Sequence, residues 1–481
     1  MRKAAGREKK RFLLVEAQKL HKYYIPGYDM TMPSDVVQPL GLVQLASVIQ
    51  GHDPEARVKI LDLRLFDNDF SSMPPVVREF RPDFIGFRSV SRDGPFMAEM
   101  IKMMRYLAPD ALLVGGGPHV TAVKGAIMDE APLDYAIYGE GEGPLIDLLI
   151  SLREGGGFER IAQLIYRDPE GTVRVNPRGE HIADLDSLPL PAWNLLDHES
   201  YFQLSYYPQV PVYFNARRKL VSIFTSRGCP YHCIFCHDIF GKKFRARSPR
   251  HVVDEIEYLY RAFGIRQFDI RDDIFNFDRE RVMAICGLIA ERGLRLLFSF
   301  PNGLRADLCD EELILAMKKA GLFRVTYALE TASPRLQRMI RKNIDLEKLR
   351  HIVRFTSAQG ILTNLFVMLG FPTETRQEMM MTFEYCLDPA IDIVHPFTVQ
   401  PFEGTEMTEM LRREGVDISS FRERYEYLNV EFSLSELVCE EVEALRTELL
   451  ARFFTVERLG RTMEKLRAFR GESPPGQPVS Q

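Results

Sequence analysis

Residues Val221–His237 read VSIFTSRGCPYHCIFCH. A short β-branched and aromatic run leads into Cys229, Cys233 and Cys236, a C-x3-C-x2-C triplet. The 481-residue chain holds seven cysteines, and three of them fall in this one stretch. Thiolates this close suit a single metal centre, and so soft a ligand set favours iron–sulfur or zinc. A [4Fe–4S] cluster ordinarily takes four thiolates. Three would leave one iron open to a substrate or cofactor, as catalytic zinc sites keep an open position.

Three other chemistries share part of the pattern. A disulfide framework fits poorly with a long, cysteine-poor chain and an odd-numbered cluster. A structural zinc site would want a fourth ligand and paired C-x2-C knuckles. Cys233-Ile-Phe-Cys236-His237 formally matches a haem-attachment pattern, but no signal peptide precedes it and Cys229 would have no part in it.

Downstream of the triplet, strands and helices alternate for six units. Strands are predicted at Val221–Thr225, Gln267–Arg271, Leu296–Phe300, Phe323–Leu329, Leu362–Leu369 and Ile393–Gln400. Helices are predicted over 249–263, 279–292, 310–320, 335–358 and 375–387, with Ser248-Pro249 supplying an N-cap and a first-turn proline. Six βα units predict an incomplete barrel with its active site on the carboxyl-end loops. Asp272 and Asp273 follow the second strand, Arg305 lies beyond the third and Glu330 ends the fourth. Such charges also serve as solvated loop residues or helix caps. A second metal site at Asp272-Asp273 lacks further ligands nearby. The basic run Lys242–Arg250 reads as a solvated face, or as a contact for a carboxylate or an electron donor. Cys286, Cys309, Cys386 and Cys439 read as structural thiols.

Upstream, strands are predicted at Arg11–Glu16, Arg57–Leu63, Asp83–Arg88, Ala111–Val114 and Asp134–Tyr138. Helices are predicted at Pro39–Gln50, Phe96–Leu107 and Glu142–Arg153. This alternation argues for a doubly wound parallel sheet, which binds ligands at the carboxyl ends of its strands. Glycines stand there: Gly115-Gly116-Gly117-Pro118-His119-Val120-Thr121 after the fourth strand, and Gly139-Glu140-Gly141 after the fifth. Glycine admits positive φ and close approach of a bulky ligand, although tight βα turns alone would also use it. Ser89 and Ser91 add hydroxyls after the third strand.

Ile161–Pro177 reads as a hairpin turning at Asp168-Pro-Glu-Gly171. Asp184–Leu196 reads as an ordered Pro-rich connector holding the only Trp, Trp193. Tyr201–Val212 is aromatic-rich and reads as a strand or a cleft lining. Glu409–Glu426 reads as helical, Leu434–Phe469 as one or two amphipathic helices, and Gly471–Gln481 as a disordered tail.

Composition is that of a globular protein, 46% hydrophobic and 27% charged,. A formal charge of −5 argues against a nucleic-acid footprint. No apolar run approaches the roughly 20 residues of a membrane span, and the basic start lacks a signal-peptide core. The cytoplasm is the expected location.

The triplet after the first of six βα units resembles the radical S-adenosylmethionine (SAM) superfamily. RDDIFNF, LRAD, YALETASP and FVMLGFPTET are similar to its second- to fifth-strand motifs. PLGL, GGGPHVTA and YGEGE resemble the cobalamin-binding domain that precedes many such cores, and Leu185–Ala192 resembles the segment joining the two. The D-x-H-x-x-G motif that ligates cobalt has no counterpart: Asp62-Leu63-Arg64 follows the second strand. This leaves the lower cobalt ligand open, with His119 either ligating, shaping its turn or touching the corrin edge.

The resemblance implies an α/β chain in five parts. A Rossmann/flavodoxin-like cobalamin domain would span 11–153 and a linker with hairpin 154–212. A partial (β/α)6 TIM-like barrel would span 213–408, a helical cap 409–470 and a tail 471–481. It implies a [4Fe–4S] cluster on Cys229, Cys233 and Cys236. SAM would meet Asp272 or Asp273 through its amine, Arg305 through its carboxylate and Glu330 through its ribose, with Gly370, Phe371 and Pro372 against adenine. Cobalamin would rest on Ser89, Ser91, Gly116, Gly117, His119, Thr121, Gly139, Glu140 and Gly141. The implied reaction is methylation of an unactivated carbon of a small-molecule, lipid or tetrapyrrole-like substrate: reductive SAM cleavage gives a 5′-deoxyadenosyl radical, and methylcobalamin delivers methyl. A low-potential flavodoxin- or ferredoxin-like donor is implied as partner. The alternatives are a cyclase or rearrangement enzyme without net methyl transfer, and a corrinoid-binding sensor.

Overall fold

The computed structural model describes residues 11–25, 30–33, 36–205, 215–418, 421 and 430–472. These divide into two compact units. One comprises the residues up to Leu204 with His237–Gly241 and Phe402–Gly404; the other comprises the remainder.

In the first unit the strands are β1 (Arg11–Glu16), β2 (Lys22–Ile25), β3 (Met30–Pro33), β4 (Arg57–Asp62), β5 (Phe84–Arg88), β6 (Leu112–Gly116), β7 (Tyr135–Ile137), β8 (Leu164–Arg167) and β9 (Val173–Val175). The helices are α1 (Leu40–His52), α2 (Met73–Phe80), α3 (Gly94–Leu107), α4 (Gly117–Val123), α5 (Ile127–Glu130), α6 (Glu142–Glu154) and α7 (His198–Ser205). The main sheet runs β4-β1-β5-β6-β7-β8-β9, parallel through β7 and antiparallel beyond it. The hairpin expected at Ile161–Pro177 therefore extends the sheet edge. Strand β1 is apolar on both faces because both are covered. Leu13 and Val15 join one core with Ile85, Phe87 and Leu113, while Phe12 and Leu14 join the opposite core with Phe84 and Val114.

Helix α2 was not expected from the pattern. Its Pro74-Pro75 reads as a breaker, but stands in the first turn, where an amide hydrogen has no partner to lose,. The Tyr201–Val212 expectation resolves as the end of α7 up to Ser205; residues 206–214 lie outside the described residues.

In the second unit the strands are β10 (Leu220–Ile223), β11 (Ser226–Arg227), β12 (Arg245–Ala246), β13 (Gln267–Ile270), β14 (Leu297–Leu304), β15 (Leu322–Glu330), β16 (Leu362–Leu369) and β17 (Ile393–Thr398). The helices are α8 (Pro249–Ala262), α9 (Arg279–Glu291), α10 (Glu311–Ala320), α11 (Pro334–Met339), α12 (Leu346–Ala358), α13 (Arg376–Cys386), α14 (Glu406–Arg413), α15 (Cys439–Phe453) and α16 (Val456–Arg470). Strands β10-β13-β14-β15-β16-β17 pair in parallel, in chain order. This is the open six-stranded barrel that the alternation predicts. Helix α16 lays Met463, Leu466 and Phe469 on Phe323, Leu362 and Ile393 at the strand starts.

One expected element divides. The helix predicted over 335–358 is α11 and α12, separated by Ile340–Asp345. Arg341 and Asn343 take left-handed φ of +54° and +48°, and Asp345 caps α12 through the amides of Glu347 and Lys348. Apolar residues at 336, 340 and 344 keep a helical spacing across the break, which hides it from periodicity. The C-terminal helical stretch is two helices, and the one expected at Glu409–Glu426 is seen as α14; residues 419–420 and 422–429 lie outside the described residues, as does nearly all of the expected disordered tail.

Candidate functional site

The cysteine loop is fixed at its base by the β11–β12 ribbon. Its entry is organised by two adjacent carboxylates. Asp272, buried, accepts from the Thr225 amide (2.6 Å), the Thr225 hydroxyl (2.5 Å) and the Ser226 hydroxyl (2.6 Å). Asp273, exposed, accepts from the Gly228 amide at 3.0 Å, where a left-handed φ of +81° turns the chain,. Both Asp272 oxygens are thus engaged in bracing the loop across the β10–β13 pair, whereas Asp273 lies exposed at the loop entry.

The middle of the loop is held as a cork. The Ile234 amide donates to the Ile340 carbonyl at 3.2 Å, and the Ile234 carbonyl accepts from the Met407 amide at 2.9 Å. Ile234 packs in one apolar cluster with Leu336, Ile340, Phe371 and Met407, and the Phe235 and Phe371 rings lie 5.8 Å apart.

Cys233 is buried, Cys229 half-buried and Cys236 exposed. The Cys233 and Cys236 thiols share a hydrogen bond, which with the Lys342 charge pulls Cys233 down to about 6; burial pushes Cys229 up. The Cys233 thiol also faces the Arg341 carbonyl at 3.8 Å. Among the described residues, no three His, Cys, Asp or Glu side chains are already gathered closely enough to hold a metal ion. The donor set still fits a cluster: soft thiols in one braced loop, beside buried cations that favour thiolate.

Around the barrel mouth the expected residues are engaged with one another. Glu330 ends β15 at a register shift, with φ of +65°. Its carboxylate lies 3.0 Å from the Lys342 ammonium, and both are buried. Arg305 grips Asp307 through two bonds of 3.0 and 2.7 Å, donates to the Lys342 carbonyl at 3.0 Å, and is itself buried. The Gly370 and Phe371 amides donate to one oxygen of Glu374, at 2.7 and 3.0 Å. The other Glu374 oxygen is buried with no partner, and burial pushes this carboxyl up to about 8. Pro372 follows in the same turn. Sequence reasoning missed Lys342, Glu374 and Thr225. Lys342 lay inside a segment read as helix, Glu374 fell between a predicted strand and the helix predicted from 375, and Thr225 was read only as a strand end.

The run Lys242–Arg250 is not a uniform solvated face. Arg245 and Arg247 are buried, and Arg247 pairs with Glu255 while donating to the Phe224 carbonyl. Cys286, Cys309 and Cys386 are buried, and Cys439 half-buried at the start of α15.

In the first unit, the glycine turns meet at the carboxyl ends of β5, β6 and β7. The Thr121 hydroxyl donates to the Gly117 carbonyl and accepts from the Gly139 amide, both at 2.9 Å. The His119 amide donates to the Ser89 carbonyl at 3.0 Å, and the Ser89 hydroxyl donates to the Ala17 carbonyl at 2.7 Å. Gly117 and Gly139 are left-handed, at +84° and +73°. Glu140 is buried, its carboxylate accepting from His181 Nδ1 (3.1 Å) and the Ile182 amide (3.2 Å). Gly116 is extended and Gly141 precedes α6. His119 is buried, with Nε2 2.9 Å from Glu130 and its ring against Gly94, where a Cβ would lie 2.5 Å away. The ring is thus held inside its own turn, against Glu130 and Gly94. The bare glycine backbone fits a broad ring ligand, and two buried polar atoms in the same turns, Ser91 Oγ and His119 Nδ1, have no hydrogen-bond partner.

Residues 223–386 match the radical SAM superfamily and residues 32–149 match the B12 binding domain. The chain carries a radical SAM domain and a cobalamin-binding domain. It is 29% identical over 420 residues to an uncharacterised methyltransferase of Pyrococcus horikoshii, covering 86% of this chain and 87% of that one. It is 28% identical over 426 residues to the cytidylyl-2-hydroxyethylphosphonate methyltransferase of Streptomyces wedmorensis, covering 78% of each. The structure of the radical SAM methyltransferase TsrM of Kitasatospora setae shares its fold, with a TM-score of 0.68 and 22% identity over 84% of this chain and 76% of that one. The radical SAM enzyme characterised by these matches takes a [4Fe–4S] cluster, SAM and cobalamin as cofactors. No helix among the described residues is long and apolar enough to cross a membrane.

Proposed function

We propose that this radical SAM enzyme methylates an unactivated carbon of a small-molecule, lipid or tetrapyrrole-like substrate. The observation that carries the reading is the braced three-cysteine loop at the carboxyl mouth of a parallel barrel, in one chain with a glycine-lined, doubly wound sheet. When bound, the cluster and SAM supply a carbon radical and cobalamin supplies the methyl group. The chain's own part is to hold and orient. Cys229, Cys233 and Cys236 hold iron, and Asp272 fixes the loop that carries them.

SAM recognition falls to the mouth: exposed Asp273 for its amine, Arg305 and Glu330 for its carboxylate and ribose, and the Gly370–Pro372 turn for adenine. Arg305 and Glu330 are each already engaged, so binding would exchange internal partners for ligand. Cobalamin would rest on the turns of Ser89, Ser91, Gly116, Gly117, His119, Thr121, Gly139, Glu140 and Gly141, with the His119 ring itself buried. The electron comes from a low-potential flavodoxin- or ferredoxin-like protein.

The test is anaerobic reconstitution with iron, sulfide and hydroxocobalamin, followed by incubation with methyl-deuterated SAM, reductant and a metabolite extract. The expected result is S-adenosylhomocysteine with 5′-deoxyadenosine, and a product heavier by one deuterated methyl. 5′-Deoxyadenosine without S-adenosylhomocysteine would replace methyl transfer by cyclisation or rearrangement. Absence of SAM cleavage by cluster-loaded protein would point to a corrinoid-binding sensor.

A further inference from the structure

We infer that Lys342 is a positioning residue that raises the reduction potential of the cluster on Cys229, Cys233 and Cys236, with Glu330 as its counterweight. This rests on the proposed role of those three cysteines.

The geometry is a short arch, Ile340–Asn343, laid along the cysteine loop. Ile340 receives the Ile234 amide, the Arg341 carbonyl faces the Cys233 thiol, and the Lys342 carbonyl receives Arg305. Three side-chain-bearing residues around it, Glu330, Arg341 and Asn343, are left-handed. Such a backbone is strained for a residue with a side chain and persists only where its surroundings hold it. A helix continued through 340–345 would have spared Arg341 and Asn343 that strain. The break instead delivers the Lys342 ammonium to a buried position, 8% exposed, 3.0 Å from Glu330.

Burial opposes the charge on Lys342, and the ion pair with Glu330 offsets that cost next to Arg341, whose carbonyl faces the Cys233 thiol. A lone buried cation would be costly, which accounts for Glu330. A cluster on three thiolates gains negative charge when it takes one electron from a low-potential reductant; no bond is made or broken. A fixed cation beside the thiolates stabilises that reduced state, and the neighbouring anion offsets part of the effect.

The experiment uses the full chain, reconstituted anaerobically with iron and sulfide, without SAM. The midpoint is read by redox titration followed by electron paramagnetic resonance. Lys342→Met should lower the equilibrium constant for reduction at least tenfold, about 59 mV for one electron. Glu330→Gln should shift it the opposite way, and Lys342→Arg should restore the wild-type midpoint. General damage to the loop would move Lys342→Met and Glu330→Gln in the same direction, so shifts of like sign, or no shift in iron-replete variants, overturn the inference. Should Lys342→Met fail to hold iron, the absence of a rise in Glu330→Gln overturns it alone. Wild-type protein that takes up no iron overturns the cysteine reading, and the inference with it.

Discussion

The Arg305 guanidinium lies 3.9 Å from the centre of the Tyr231 ring, so a barrel-strand end reaches into the middle of the C-x3-C-x2-C stretch. Such stacking contributes about 0.5–2 kcal/mol, and the two hydrogen bonds to Asp307 fix the plane of the guanidinium. Tyr231→Phe should keep the contact. Tyr231→Ala should loosen the loop by about 1–2 kcal/mol and shorten iron retention on gel filtration. Arg305→Lys should lose both the stack and the paired bonds, and fall with Tyr231→Ala in the same assay.

Asp272 separates a bracing carboxylate from a ligand contact. Replacing it by Ala leaves two hydroxyls and an amide without their acceptor, at a cost of about 3 kcal/mol or more. The urea midpoint of Asp272→Ala should fall and the loop should become a protease target. Asp273→Asn should keep the midpoint and weaken SAM binding measured by calorimetry. The reverse pattern would return Asp272 to the SAM amine.

Glu374 predicts a pH dependence with a definite sign. Its carboxyl is pushed up to about 8 in the folded chain, against about 4.5 when exposed. Its contribution is complete below about pH 4.5 and is lost as pH rises toward 8, by up to about 1.4 kcal/mol per unit. Glu374→Gln keeps a neutral acceptor for the Gly370 and Phe371 amides. The difference in urea midpoint between variant and wild type should therefore grow in favour of the variant from pH 5 to pH 8. A constant difference would show that Glu374 stays charged.

Gly94 is the space in which the His119 ring sits. Gly94→Ala should push the ring away from Glu130, cost about 1–3 kcal/mol as overpacking does, and disturb the turns of Gly117 and Thr121. Hydroxocobalamin retained after desalting, read by absorbance, should fall. Retention at the wild-type level would separate His119 from the corrin site.

Both sheets were legible because their central strands carry apolar runs: β1 and β16 fall at the residues predicted. The triplet was legible because its chemistry is local. What escaped depends on contacts distant in sequence. Nothing near Asp272 announces that Thr225 and Ser226 claim it; that follows from the β10–β13 pairing, 47 residues apart at Thr225. The break at Ile340–Asp345 was masked by continuing apolar spacing, though Asn343 and the Asp345 cap were available signals. Paired prolines concealed α2 because position within the first turn, rather than composition, decides whether proline breaks a helix.

Helix α16 closes the starts of the barrel strands, yet it lies some 220 residues after the last cysteine of the triplet. At about 5–20 residues per second of synthesis, the thiols spend some tens of seconds outside a finished barrel. Oxidants and stray metals compete for them in that interval. Loading of iron is then a matter of timing during biogenesis as much as of affinity, and a chain truncated before Val456 would keep its cysteines in that vulnerable state.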